Sequence, residues 1–214
     1  MADAVRVVAG SDCERIRDGW ITQPVNTLSS VAYVLAGGLL VRRARRQSRP
    51  AGPQGEIYGW SVVAVGLGSI AYHGPGGSWS RRVHDGSLVA MEALIAVFDL
   101  AAVGDRPPPR GRVLALVPAL SGLAVQPSMS TGAQVSMGAV ALTAEGARAR
   151  RRRGGPGPRW ERRLLGPVWA AGVVAQILGR SGGPWCRPGS WAQPHAAWHV
   201  LSALGLWLRG REAF

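Results

Sequence analysis

Apolar runs cut short by arginine clusters constrain this chain more than any other feature. Seven runs, over residues 26–41, 57–73, 85–103, 113–125, 132–147, 164–179 and 195–208, are separated by Gly/Pro turns or by arginine blocks. Most lack the polar stripe at helical period that a soluble bundle shows to water. Several fall short of the roughly 20 residues that span a hydrocarbon core, yet a helix apolar all round belongs in lipid. The expected fold class is all-α integral membrane: a single seven-transmembrane-helix bundle over residues 1–214.

The arginines test that reading independently. All 25 basic residues are arginine. With the N-terminus outside and seven crossings, 18 of them fall inside, within residues 42–49, 106–112, 148–163 and 209–211, and 7 fall outside. That asymmetry is the one the positive-inside rule requires, and six crossings would break it. The expectation is a multi-pass protein of a bacterial plasma membrane, N-terminus outside and C-terminus cytoplasmic. The first twenty residues carry acids and no continuous apolar core, so no cleaved signal peptide is expected. A net charge of +13 invites a nucleic-acid reading, but the arginines punctuate apolar segments instead of forming one stripe. No nucleic-acid partner is expected. The inner arginine loops suit anionic lipid headgroups instead.

The residues able to do chemistry gather at one end of this topology. His195 and His199 are four apart, on one face of a helix that Pro194 is suited to start. Two imidazoles at the mouth of a membrane helix are costly unless something binds them. His73 closes the second run on the same outer side, with Ser69 one turn before it, and His84 and Asp85 open the third. Three neutral imidazoles plus one water make a catalytic type of zinc site, and His73, His195 and His199 can supply them. Such a metal lowers the pKa of water and polarises a carbonyl. Asp85 could then carry protons or orient a ligand, and Ser69 could donate a hydrogen bond to an oxyanion. The plainer alternative is a set of interfacial histidines bonded to lipid or backbone. Haem is not expected, because its axial ligands come from facing helices whereas His195 and His199 share a face.

Other residues are weaker candidates. His84 is out of helical register with Asp85 and is left outside the site. Glu92 and Asp99 follow Asp85 at seven-residue steps, so the three share one stripe. Glu92 sits near mid-membrane and is a functional candidate for that reason, whereas Asp99 is near the inner end. Gly66-Leu67-Gly68-Ser69-Ile70-Ala71 fits a dinucleotide fingerprint in letters, but no strand precedes it, and its glycines are better read as helix-packing positions. Cys13 and Cys186 both fall outside in this topology, where they can form one disulfide or stand as two separate thiols.

Taken in order, Cys13-Glu14, Asn26-Thr27-Leu28-Ser29-Ser30, Ser69-Ile70-Ala71-Tyr72-His73, Asp85 and His195-Ala196-Ala197-Trp198-His199 resemble the alkaline ceramidases. They also resemble the wider superfamily that includes the adiponectin-receptor-like proteins. The resemblance covers the first three helices and the last. It implies a seven-helix membrane amidase with zinc on His73, His195 and His199, roles for Ser69 and Asp85 as above, and a disulfide between Cys13 and Cys186. It also implies a calcium site near the N-terminus, for which Asp12 and Glu14 are the candidates here. The match departs at that site: Ser11-Asp12 stands where Asp-Trp is usual, Ile16 where an amide side chain is expected, and Gln23 where a carboxylate is expected. The function implied is a zinc-dependent hydrolase cleaving the amide bond of a ceramide-like N-acyl lipid. The alternative is a non-catalytic lipid receptor or sensor with a structural zinc.

Overall fold

The structure, a computed structural model, describes residues 12–47, 52–105, 122, 130–151 and 159–214. Among the described residues it is all-helical, with six helices and no strand. They are α1 (Pro24–Arg46), α2 (Gly52–His73), α3 (Ser78–Val103), α4 (Ser130–Arg151), α5 (Arg159–Leu178) and α6 (Pro194–Ala213). The helix expected over 113–125 lies, save for residue 122, outside the described residues.

Every described helix starts before the apolar stretch that announced it, and three continue past its end. α1 continues from the expected end at 41 to Arg46, with Arg43, Arg45 and Arg46 in its last turn. Arginine is a good helix former, and its charge is favourable near a helix C-terminus. α3 begins at Ser78 rather than at 85, and α4 runs to Arg151 rather than to 147. Hydropathy marks the part of a helix that avoids water, whereas the hydrogen-bonded ladder continues as long as propensity and caps allow.

Two helices, Pro24–Arg46 and Trp79–Val103, are long and apolar enough to cross a membrane. The surface of α1 fits that setting. Leu28, Leu35 and Leu39 are more than half exposed, while Asn26 and Ser30 are completely buried. Tyr33, Leu40 and Val41 are buried on the same helix, so its outward face is apolar while its inward face mixes apolar and polar groups.

The chain divides into two compact units: residues 1–81 with 157–214, and residues 82–156. In the first unit α1 and α2 pack closely because glycines face each other. A Cβ on Gly37 would sit 2.6 Å from the Gly59 carbonyl oxygen, and one on Gly59 would sit 2.8 Å from Val41 Cγ2. Small residues allow the backbones to approach in this way. α6 packs on both α5 and α1: a Cβ on Gly205 would meet the Trp169 ring at 2.8 Å, and one on Gly210 would meet Leu40 at the same distance. Tyr58 is fully buried among them and donates its hydroxyl hydrogen to the Leu206 carbonyl at 3.0 Å. The Arg209 guanidinium lies 5.2 Å from the centre of the Tyr58 ring.

The second unit holds α4 and most of α3. Their contact includes a buried ion pair, Arg148 Nε to Asp99 Oδ1 at 3.0 Å. Glu92 faces Gly138, where an added Cβ would lie 3.3 Å from Glu92 Oε1.

Candidate metal centre

His73 ends α2, and His195 and His199 occupy the first two turns of α6. All three are buried, at 0, 7 and 2% exposure. One ring nitrogen from each lies within 4.8 Å of the others, and these side chains can hold a metal ion. The ring centroids are 4.5–5.1 Å apart. Imidazolium charges would repel at such separations in a buried setting, so the arrangement favours neutral rings, each with one lone pair.

The hydrogen bonds around the rings decide which nitrogen carries the proton. Gln23 Nε2 donates to the Glu14 carbonyl at 2.9 Å, which orients the amide and leaves Oε1 facing His73 Nδ1 at 2.6 Å. An amide oxygen only accepts, so His73 Nδ1 carries hydrogen and the lone pair is on Nε2. Gln176 Oε1, from α5, takes the same position toward His195 Nδ1 at 2.7 Å. His199 Nδ1 lies 2.9 Å from Ser29 Oγ and 3.3 Å from Ser30 Oγ. Both serine hydroxyls donate to the Asn26 carbonyl, at 3.0 and 2.7 Å, so they accept from His199. All three rings are thus held as Nδ1–H tautomers with Nε2 basic. That donor set, neutral nitrogen with each second nitrogen fixed by an outer partner, fits a borderline divalent ion.

The segment before α1 fastens the end of α2. Gln23 N donates to the His73 carbonyl at 2.9 Å, and Thr22 Oγ1 donates to the carbonyls of His73 and Gly74, each at 2.9 Å. These bonds satisfy carbonyls that a helix C-terminus otherwise leaves open. Glu14 in turn caps α1, where its two carboxylate oxygens accept from Val25 N at 2.9 Å and Asn26 N at 2.8 Å. Cys13 and Cys186 form a disulfide, with Cα atoms 5.5 Å apart. Arg15 N adds a bond to the Pro188 carbonyl at 2.9 Å. The N-terminal segment and the loop leading into α6 are therefore one braced piece.

Ser69 stands beside the histidines, its Oγ 3.4 Å from His199 Nε2 and 2.8 Å from Ser30 Oγ. Because the Ser30 hydrogen is directed to Asn26, Ser69 donates to Ser30. Below His199, the Tyr33 hydroxyl and Ser202 Oγ form a buried hydrogen bond.

Asp85 belongs to the second unit, where its Oδ1 lies 2.9 Å from His84 Nδ1. His84, set aside on helical register, is thus its hydrogen-bonded neighbour. Adjacent residues on a helix point about 100° apart, but side chains as long as these can still meet. Asp12 Oδ1 is 3.9 Å from His195 Nδ1, and Glu14 is occupied with the α1 amides. Among the described residues, the one group of three or more metal-ligating side chains is the histidine cluster.

Gln23, Gln176, Ser29 and Ser30 had no part in the metal site read from sequence. A signal existed for Gln176, a lone amide within the apolar run 164–179, since polar groups inside such runs are costly without a partner. Ser29 and Ser30 are small polar residues at the start of the first apolar run, and nothing local assigns them to a histidine 170 or 169 residues away.

No protein-family model matches the chain, and no curated protein matches it.

Proposed function

We propose that this chain is a zinc-dependent integral-membrane amidohydrolase that cleaves the amide bond of a ceramide-like N-acyl lipid, releasing a fatty acid. The observation that carries the reading is the buried cluster of His73, His195 and His199, with ring nitrogens within 4.8 Å of one another. These three residues would hold zinc, which when bound supplies Lewis acidity, polarising an acyl carbonyl and activating water. Gln23, Gln176 and Ser29 hold the rings in the tautomer that binding needs. Ser69 turns its hydroxyl from Ser30 toward the developing oxyanion. Asp85 takes the proton of the attacking water and returns it to the leaving amine, a role assigned from its place in the sequence motifs.

The same proposal includes seven membrane spans with the N-terminus outside and the C-terminus cytoplasmic, in a bacterial plasma membrane. The 18-to-7 arginine asymmetry and the disulfide between Cys13 and Cys186, both external in that topology, support it. Calcium at Asp12 and Glu14 is not part of this reading, since Glu14 is already engaged as a helix cap.

Zinc content and lipid products test the proposal together. Purified protein should carry about one zinc per chain, lost in His199→Ala, and should release fatty acid from N-acyl sphingoid lipids in a reaction that Asp85→Ala abolishes. Negligible zinc in wild type overturns the proposal. Bound zinc with no product from any N-acyl lipid leaves a receptor or sensor with a structural metal.

A further inference from the structure

Three neutral groups stand behind the imidazoles: Gln23 Oε1, Gln176 Oε1 and Ser29 Oγ. A carboxylate in such a place raises the basicity of the ligand and tightens the site. Asp12 Oδ1, at 3.9 Å from His195 Nδ1, is beyond hydrogen-bond reach. The two amides are not equivalent, however. Gln23 is fully buried and works at both ends, accepting from His73 while donating to the Glu14 carbonyl at 2.9 Å. An amide does both at neutral pH, whereas a carboxylate has no hydrogen to give. Gln176 acts on His195 from the half-buried side of α5, on a different element from the Glu14 carbonyl.

We infer that Gln23 and Gln176 are the positioning residues of this centre, and that Gln23 also couples His73 to the disulfide-braced N-terminal segment. The inference rests on the histidine cluster being a metal site. It assigns opposite effects to one chemical change. Gln176→Glu places a carboxylate behind His195 and strengthens the ligand. Gln23→Glu sets a carboxylate oxygen against the Glu14 carbonyl, so the bridge breaks and His73 loses its support.

The test is competition between the full-length protein in detergent and a chromophoric chelator, with zinc and with cobalt. Circular dichroism and thermal melting establish that each variant is folded. Outer partners of metal-bound histidines are worth about 10–100-fold in affinity. Gln176→Leu should weaken binding by about that range, and Gln176→Glu should tighten it by about 10-fold and shift the cobalt d–d absorption. Gln23→Leu and Gln23→Glu should both weaken it. A merely structural role would move the melting temperature without this split between Leu and Glu at position 176. Wild-type affinity in both Gln176 variants overturns the inference, as does tighter binding in Gln23→Glu. The Gln176 pair decides the matter should the buried Gln23 variants fail to fold. A wild-type protein that takes up neither ion overturns the metal centre itself, whereas a binding wild type matched by every variant overturns only the positioning roles.

Discussion

Cys13 is joined to Cys186 across 173 residues of sequence, and the bond lands between the two parts that hold the histidines. On one side Glu14 and Gln23 reach α1 and His73; on the other the loop runs directly into His195. In the chain-entropy account, a loop of this length places the stabilisation at about 5 kcal/mol. That is an upper limit, because an unfolded chain that retains residual structure is already restricted. Cys13→Ser with Cys186→Ser should lower the melting temperature and weaken zinc binding in the same protein. Thermal melting with and without reductant, followed by a zinc competition assay, checks both. Unchanged metal affinity would show that the N-terminal brace does not reach the histidines.

Glu14 is the second element of that brace. A carboxylate accepting two amides at a helix N-terminus gains from both the hydrogen bonds and the helix dipole. Glu14→Ala should cost about 1–2 kcal/mol, and Glu14→Gln, which keeps one acceptor oxygen, should cost less. Denaturation midpoints of the two variants measure the difference. If Glu14 were instead a ligand for calcium, wild type would be stabilised by added calcium and both variants would lose that response.

Much of this site is visible in the letters, for a definable reason. A four-residue step between histidines is a local fact about helices, so His195 and His199 could be placed on one face before any fold was known, and Ser69 and His73 likewise. That His73 joins them depends on how the end of α2 lies against the start of α6, which no local pattern states. Gln23 and Gln176 were not readable as ligand supports, because a hydrogen bond between residues 50 or 19 apart depends on tertiary geometry. The helix ends were misplaced for a different reason. Apolar runs report environment, and arginines such as Arg43 and Arg46 continue the helix after the environment changes. Arg148, counted as a loop charge, proves to be a buried partner of Asp99.

Neighbouring glycines on α1 should respond oppositely to the same substitution. A methyl group on Gly37 would come within 2.6 Å of the Gly59 carbonyl and 2.7 Å of Val63, so the helices must separate. Overpacking of this kind costs about 1–3 kcal/mol. Gly38 has nothing within 4 Å of the corresponding position. Gly38→Ala should therefore be neutral or stabilising by up to about 1 kcal/mol through helix propensity. Melting temperatures of Gly37→Ala and Gly38→Ala test the close approach of α1 and α2 directly. Equal shifts would mean that these helices do not meet at Gly37.

The Asp99–Arg148 pair predicts non-additivity. Both side chains are nearly inaccessible, at 1 and 4% exposure, and their charged atoms are 3.0 Å apart. Removing one partner strips the other of its nearest counter-charge in a buried setting, which costs about 3–5 kcal/mol, although Arg148 keeps Glu145 at 3.9 Å. Asp99→Leu or Arg148→Met alone should therefore destabilise strongly. The double variant removes both desolvation penalties along with the attraction, so it should be more stable than either single variant. A double-mutant cycle on denaturation free energies gives the coupling, expected to be at least about 2 kcal/mol. Additive losses would show that the two groups sit in water or on other partners, and α3 and α4 would then need a different account of their contact.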